Sequence, residues 1–123
     1  HSIALTADGA VWSWGDGRYG KLGHGDRQDQ LLPKKVAAFG GQRVVAMAAG
    51  DRHSIASTAG GAVWSWGSGY GGPLGHGDEQ NQPLPKKVEA FAGQRIVAVP
   101  AEAMHSLAVT AGAVFTWGKG ETG

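Results

Sequence analysis

The sequence predicts an all-β chain of small antiparallel sheets, and three observations lead there. The first is a repeat. Val11-Trp12-Ser13-Trp14-Gly15 returns as Val63-Trp64-Ser65-Trp66-Gly67 and, altered, as Val114-Phe115-Thr116-Trp117-Gly118. Residues 1–52 set against 53–104 without gaps share 35 of 52 positions, so both stretches must adopt one backbone. The second is glycine: 22 in 123 residues, far above the usual ~7 %. Because they keep register with the tryptophans, they are turn residues of a folded array. The third is the alternation of apolar with small or polar residues in short runs, the period of half-buried strands. Four strands recurring every ~50 residues form a sheet that cannot cover both of its own faces, so neighbours must stack on it. That is the logic of a β-propeller.

Each element follows in order. Ser2 to Thr6 alternates as a strand, and Asp8-Gly9 is a two-residue hairpin signal because glycine tolerates positive φ. Ala10 to Trp14 is the return strand. A glycine-punctuated loop from Gly15 to Leu32 is too broken for a helix. Pro33 opens a short strand, Lys34-Lys35-Val36, and Arg43 to Ala48 forms another that leads into Ala49-Gly50 and the next His53-Ser54. One whole four-stranded blade is therefore expected from about Arg43 to Val88, with three strands of an incomplete blade on either side. Residues 1–123 are expected to be a fragment of a single propeller domain, with sequence repeats at 1–52, 53–104 and 105–123. The chain begins at His1 in mid-pattern and stops at Gly123 in mid-loop, as an excerpt would. Open stacking faces would leave the isolated chain marginal or self-associating. In the third unit, Pro100 is expected to end or bulge its strand, and Ala111-Gly112-Ala113 gives a hairpin one residue shorter.

Composition excludes several functions. Eleven Lys+Arg against ten Asp+Glu leave a net charge of +1, no field to hold a polyanion. The absence of cysteine removes disulfides, thiolate catalysis and cysteine zinc sites. No apolar run reaches the ~18–20 residues of a membrane span, and no signal-peptide pattern is present. Composition fixes no compartment.

Together the motifs resemble the regulator of chromosome condensation repeat. They are His-Ser-Ile-Ala-Leu-Thr-x-Asp-Gly-x-Val-Trp-Ser-Trp-Gly, Gly-x-Leu-Gly-His-Gly-Asp, Pro-x-x-Val and Val-Val-x-x-Ala-Ala-Gly-x-x-His-Ser, and they span the whole chain. The resemblance implies a propeller of about seven blades, sequence repeats offset from structural blades, and a cytoplasmic or nuclear protein. Members of that family include an exchange factor for the GTPase Ran, partner-binding domains of ubiquitin ligases, a plant ultraviolet-B photoreceptor and many scaffolds, so the fold alone fixes little about function. The photoreceptor members place a tryptophan after Ala-Ala-Gly. Here that position is Asp51, and Ala103 in the next unit, which disfavours light sensing.

Motifs that suggest chemistry have plainer explanations. Gly15-x-Gly17-x-x-Gly20, repeated at Gly67 and Gly118, matches a dinucleotide fingerprint but is followed by Leu-Gly-His-Gly rather than a helix. The five histidines recur at like positions in successive units and do not converge as metal ligands would; His-Ser side chains are expected to bond turn backbone. Asp51, His53 and Ser54 lack triad geometry, because neighbouring strand residues face opposite ways. No catalytic residue, cofactor site or metal site is predicted. Trp12, Trp14, Trp64, Trp66 and Trp117 are expected in the core, with Trp12 and Trp14 on the face where the next blade packs. Lys34-Lys35 and Lys86-Lys87 suit an exposed outer strand.

Functional information is expected where the repeats disagree, since matched residues build the scaffold and unmatched loop residues are free to bind. Those positions are Asp16/Ser68/Lys119, Arg18/Tyr70, Tyr19/Gly71, Lys21/Pro73, Asp51/Ala103 and Arg52/Met104. Arg18, Tyr19, Lys21, Asp51, Arg52 and Tyr70 are the candidate partner-binding residues, Arg and Tyr being common hot-spot types. The expected function is a non-enzymatic protein-interaction module. The alternatives are guanine-nucleotide exchange on a Ran-like small GTPase and substrate binding within a ubiquitin ligase.

Overall fold

The computed structural model describes residues 1–70, 74, 76–89, 101–102, 105–109 and 114–118. Three antiparallel sheets account for them. β1 (Ser2–Leu5), β2 (Val11–Gly15) and β3 (Gln30–Lys35) form the first, in that order. β4 (Val44–Ala49), β5 (His53–Thr58), β6 (Val63–Gly67) and β7 (Gln82–Lys87) form the second, a complete four-stranded blade. β8 (Ala101–Glu102), β9 (His105–Val109) and β10 (Val114–Gly118) form the third. The whole blade falls where the sequence placed it, between Arg43 and Val88. The chain is all-β, a partial β-propeller with one complete and two incomplete blades. Pro100 and the Ala111-Gly112-Ala113 turn lie outside the described residues.

The first two sheets repeat one another strand for strand. Ser2 pairs with Trp14 as Ser54 pairs with Trp66, and Trp12 with Lys35 as Trp64 with Lys87. Both carry a register shift at the same place, between Ser13 and Gly15 and between Ser65 and Gly67. Two local expectations need correction. The β1–β2 hairpin is not a two-residue Asp8-Gly9 turn. Gly9 N–H donates to Thr6 O (3.0 Å) and Thr6 N–H to Ala10 O (2.9 Å), with Gly9 at φ 89°. That is a three-residue loop ending in a glycine bulge, supported by the Thr6 hydroxyl donating to the Asp8 carboxylate. The third strand begins at Gln30 rather than at Pro33, because the shift after Ser13 lets Gly15 pair with Gln30. Pro33 is tolerated inside β3 because that strand is a sheet edge. Lys34, Lys35, Lys86 and Lys87 are all exposed on these outer strands.

The main core lies between the first two sheets. Val11, Val36, Phe39, Val44, Ala56 and Trp66 are buried together, with Ile3, Met47 and Trp64 packed against them. Phe39, on the short 3-10 turn after β3, meets both indoles edge-on, at 5.7 Å from Trp64 and 5.6 Å from Trp66. The second pair of tryptophans therefore faces the preceding sheet, and strand alternation settles the first pair too. Ile3, Val11 and Ser13 point toward the second sheet, so Trp12 and Trp14 point away from it, not toward the next blade as expected. Trp66 is fully buried, while Trp12 and Trp14 are only half-buried.

Candidate functional site

Five of the six candidate residues sit at one rim, where two adjacent blades meet. The register brings the end of β2, the end of β4 and the start of β5 to that rim, so the β2–β3 loop of one blade faces the β4–β5 turn of the next. The β2–β3 loop is folded by its own polar groups. Gly17 N–H donates to the Asp29 carboxylate (2.8 Å), and in the second unit Gly69 N–H donates to the Asn81 side-chain oxygen (3.0 Å). Any Cβ at Gly17 or Gly69 would collide with the carbonyl of Gln28 or Gln80. The glycine pattern is therefore a device for closing a loop, and it contains a 3-10 turn, Arg18–Gly20, rather than opening a helix.

Asp16 organises the first loop. Its carboxylate accepts from Arg18 Nε (2.8 Å) and Arg18 N–H (2.9 Å), and pairs with Arg18 Nη2 at 2.7 Å. The Arg18 guanidinium, helped by the Arg18 backbone N–H, holds the Asp16 carboxyl well below the usual carboxylate range. Asp16 also stands 3.6 Å from Lys21 Nζ. The sequence placed Asp16 only among the divergent positions; its replacement by Ser68 in the next unit was the available signal.

Lys21 differs from its expected role as an open loop residue, because its side chain is only 6 % exposed. Nζ donates across the seam to Asp51 O (3.3 Å). Its own carbonyl accepts from Trp66 Nε1 (2.9 Å) and from Ser54 Oγ (3.1 Å). Lys21 thus ties one blade to the next from beneath the rim. Arg18, Asp51 and Arg52 are exposed above it, and Arg52 Cζ lies over the Tyr19 ring, 5.5 Å from its centroid. Tyr70 stands apart from this group. It occupies the Arg18 position one blade on, 57 % exposed, with its N–H donating to Ser68 Oγ (3.3 Å).

The histidines and serines of the repeat are structural. Ser13 Oγ donates to Leu22 O (2.6 Å) and meets His24 Nε2 at 2.9 Å; Ser65 does the same with Leu74 O (2.6 Å) and His76 (3.1 Å). His1 Nε2 meets Ser54 Oγ at 2.8 Å across the seam. Of the His-Ser pairs, Ser54 bonds loop backbone as expected, at Lys21 O, while His1 bonds a serine hydroxyl instead. Burial pushes the His24 and His76 imidazoles below their ordinary value. Among the described residues no three His, Asp or Glu side chains are grouped to hold a metal, and no helix is long and apolar enough to cross a membrane.

Comparison with known proteins points the same way. The regulator of chromosome condensation (RCC1) repeat matches at residues 8–57 and 60–109. The human E3 ubiquitin-protein ligase HERC2 is 45 % identical over 98 % of this chain, which spans 3 % of that protein. The Arabidopsis thaliana ultraviolet-B receptor UVR8 is 40 % identical over 96 % of the chain, which spans 27 % of it. Among solved structures, Prp20p of Saccharomyces cerevisiae, described together with its binding to Gsp1p and histones, superposes with a TM-score of 0.84. It shares 29 % identity over 98 % of this chain and 31 % of its own. The chain therefore spans under a third of each of these relatives. With two full repeats matched in sequence and three blades alike in fold, the chain belongs to the regulator of chromosome condensation repeat family.

Proposed function

We propose that this chain acts as a non-enzymatic protein-interaction module whose β2–β3 and β4–β5 loops engage a protein partner. The observation that carries this is the rim between the first two blades. There, residues that differ between two otherwise matching repeats come together from separate blades, with Arg18 and Arg52 outward and Lys21 locked beneath. Shared glycines together with Asp16, Asp29 and Lys21 hold the loop, while Arg18, Asp51 and Arg52 face solvent, an arrangement suited to recognition on a rigid frame. The test is co-purification with the full-length natural protein and its Arg18→Glu and Asp51→Lys variants. Proteins recovered with the wild type and lost at least about tenfold with either variant, with melting unchanged, support the rim. Equal recovery with both variants overturns it.

Two narrower functions have specific support. Likeness to Prp20p favours guanine-nucleotide exchange on a Ran-like GTPase, in which loop contacts would loosen bound nucleotide without bond chemistry. Nucleotide release that is not accelerated by the full-length protein removes that possibility. The identity with HERC2 favours a substrate-binding blade set within a ubiquitin ligase, which ubiquitination of a co-purifying protein would test.

A further inference from the structure

We propose that Arg52, propped on the Tyr19 ring, is a carboxylate-recognition point that takes one aspartate or glutamate side chain of the protein partner. This rests on the interaction function proposed above and names the chemistry of that rim. The first observation is backbone strain. Tyr19 lies at φ 64°, ψ 4°, and among the described residues no other non-glycine side chain sits at positive φ. A bulky residue there is an outlier that persists only when something holds it. The next repeat has glycine at the corresponding sequence position, Gly71, the residue type that takes positive φ without strain. The strained tyrosine carries a ring, and the ring supports Arg52 from the adjacent blade.

The second observation is how the charges are used. Arg18 is paired with Asp16, and Lys21 Nζ is shared between Asp16 and Asp51 O. Arg52 is exposed and makes no ion pair among the described residues. Stacking holds a guanidinium by its face and leaves its edge donors free in the fork that matches a carboxylate. Pre-positioning by Tyr19 lowers the ordering cost of binding. Exposed Asp51 beside Arg52 is the like charge an incoming anion meets, and it favours a single carboxylate over a phosphate or a polyanion. The next unit carries Met104 in place of Arg52, so the motif is not repeated there.

The experiment measures fluorescence anisotropy of a labelled Gly-Ser-Glu-Glu-Gly-Ser peptide and its Gln-Gln counterpart with the full-length natural protein at low salt. The acidic peptide should bind about tenfold more tightly than the amide. Arg52→Gln should erase that difference, Arg52→Lys should restore only part of it, and Arg27→Gln, an exposed arginine of the β2–β3 loop, should leave it intact. Tyr19→Gly is the sharper variant, because it should weaken the acidic peptide about two- to fivefold while melting stays level or rises as strain is relieved. Loss of stability in Tyr19→Gly with unchanged binding, or equal effects of Arg52→Gln and Arg27→Gln, would overturn the proposal. Co-purifying proteins that survive Arg52→Gln yet are lost with Arg18→Glu would sink the carboxylate point and leave the interaction module standing. Insensitivity to every rim variant would sink both.

Discussion

β1 and β5 share the run Ser-Ile-Ala and end in opposite environments. β5 is buried along its whole length, with Ile55 and Ala56 at 0 % exposure, whereas in β1 only Ile3 is even half-buried. Trp14 and Trp66, equivalent in register, differ in the same way. The two sheets have one design, and what differs is what stands beside them. β5 lies between β4 and β6 with the first sheet against one face; β1 is a sheet edge, and among the described residues no other sheet packs on the Trp12–Trp14 face of its sheet. Burial in this fold is conferred by neighbours, one blade at a time, as expected of repeat architectures.

The largest test compares the two indoles. Trp66→Ala removes a buried ring, its bond to Lys21 O and its edge contact with Phe39, and should cost about 3–5 kcal/mol. Trp14→Ala in the same 123-residue chain should cost less than about half of that, since the ring is already half in water. Urea melts of both variants decide the matter, and equal costs would break the neighbour account. Repeating them in the full-length protein sharpens it. If a further blade covers Trp14 there, the two costs should converge.

A second, smaller test separates strain from contact. Gly23 has φ 82°, and a Cβ there would stand 2.9 Å from Trp66 Nε1; Gly77 has φ 83° with nothing within 4 Å. Both Ala variants incur the left-handed backbone penalty, about 1 kcal/mol. Gly23→Ala must also displace the indole, adding about 1–3 kcal/mol of overpacking. Thermal melts giving equal losses for the two would mean that the seam yields more easily than close packing allows.

Much of this was legible in the sequence because the repeat supplies its own alignment. Strand order and the blade from Arg43 to Val88 followed from period and alternation alone. The direction of the tryptophans did not, because alternation shows that Trp12 and Trp14 share a face but not which neighbour that face meets. The sequence places Lys21 among open residues for a related reason. A lysine opposite Pro73 in the next unit looks like a free loop position, yet its stem and ammonium are absorbed by Asp16 and Asp51 O from separate blades. Contacts across a seam have no period and leave no local trace. The strained Tyr19 was equally hidden, since only the observed φ separates it from an ordinary loop tyrosine.

The smallest test concerns what the two sheets share. His24 and His76 sit in matching loops, each against a serine hydroxyl, with Lys34 and Lys86 at matching positions. Burial, first, lowers both imidazoles from 6.5; at His24 the Ser13 bond opposes it more than Lys34 adds to it, at His76 Lys86 outranks the opposing Ser65 bond, and Asp26 or Asp78 opposes least. In the unfolded chain these histidines protonate near pH 6.5; in the fold they resist. The unfolded state therefore binds more protons below that point, so stability is full above about pH 6.5 and declines as pH falls beneath it. Asp8 and Asp16 are lowered from 3.8, Asp8 chiefly by the Thr6 hydroxyl and Asp16 by Arg18. Their contribution is lost only as pH falls below about 3.8, so the two windows separate. Thermal melts between pH 7.5 and about 5 should fall steadily, with the His24→Gln and His76→Gln variants each removing a similar share of the slope. If one histidine carried nearly all of it, local loop geometry would not set the shift, and the two blades would differ in their loops as well as in their neighbours.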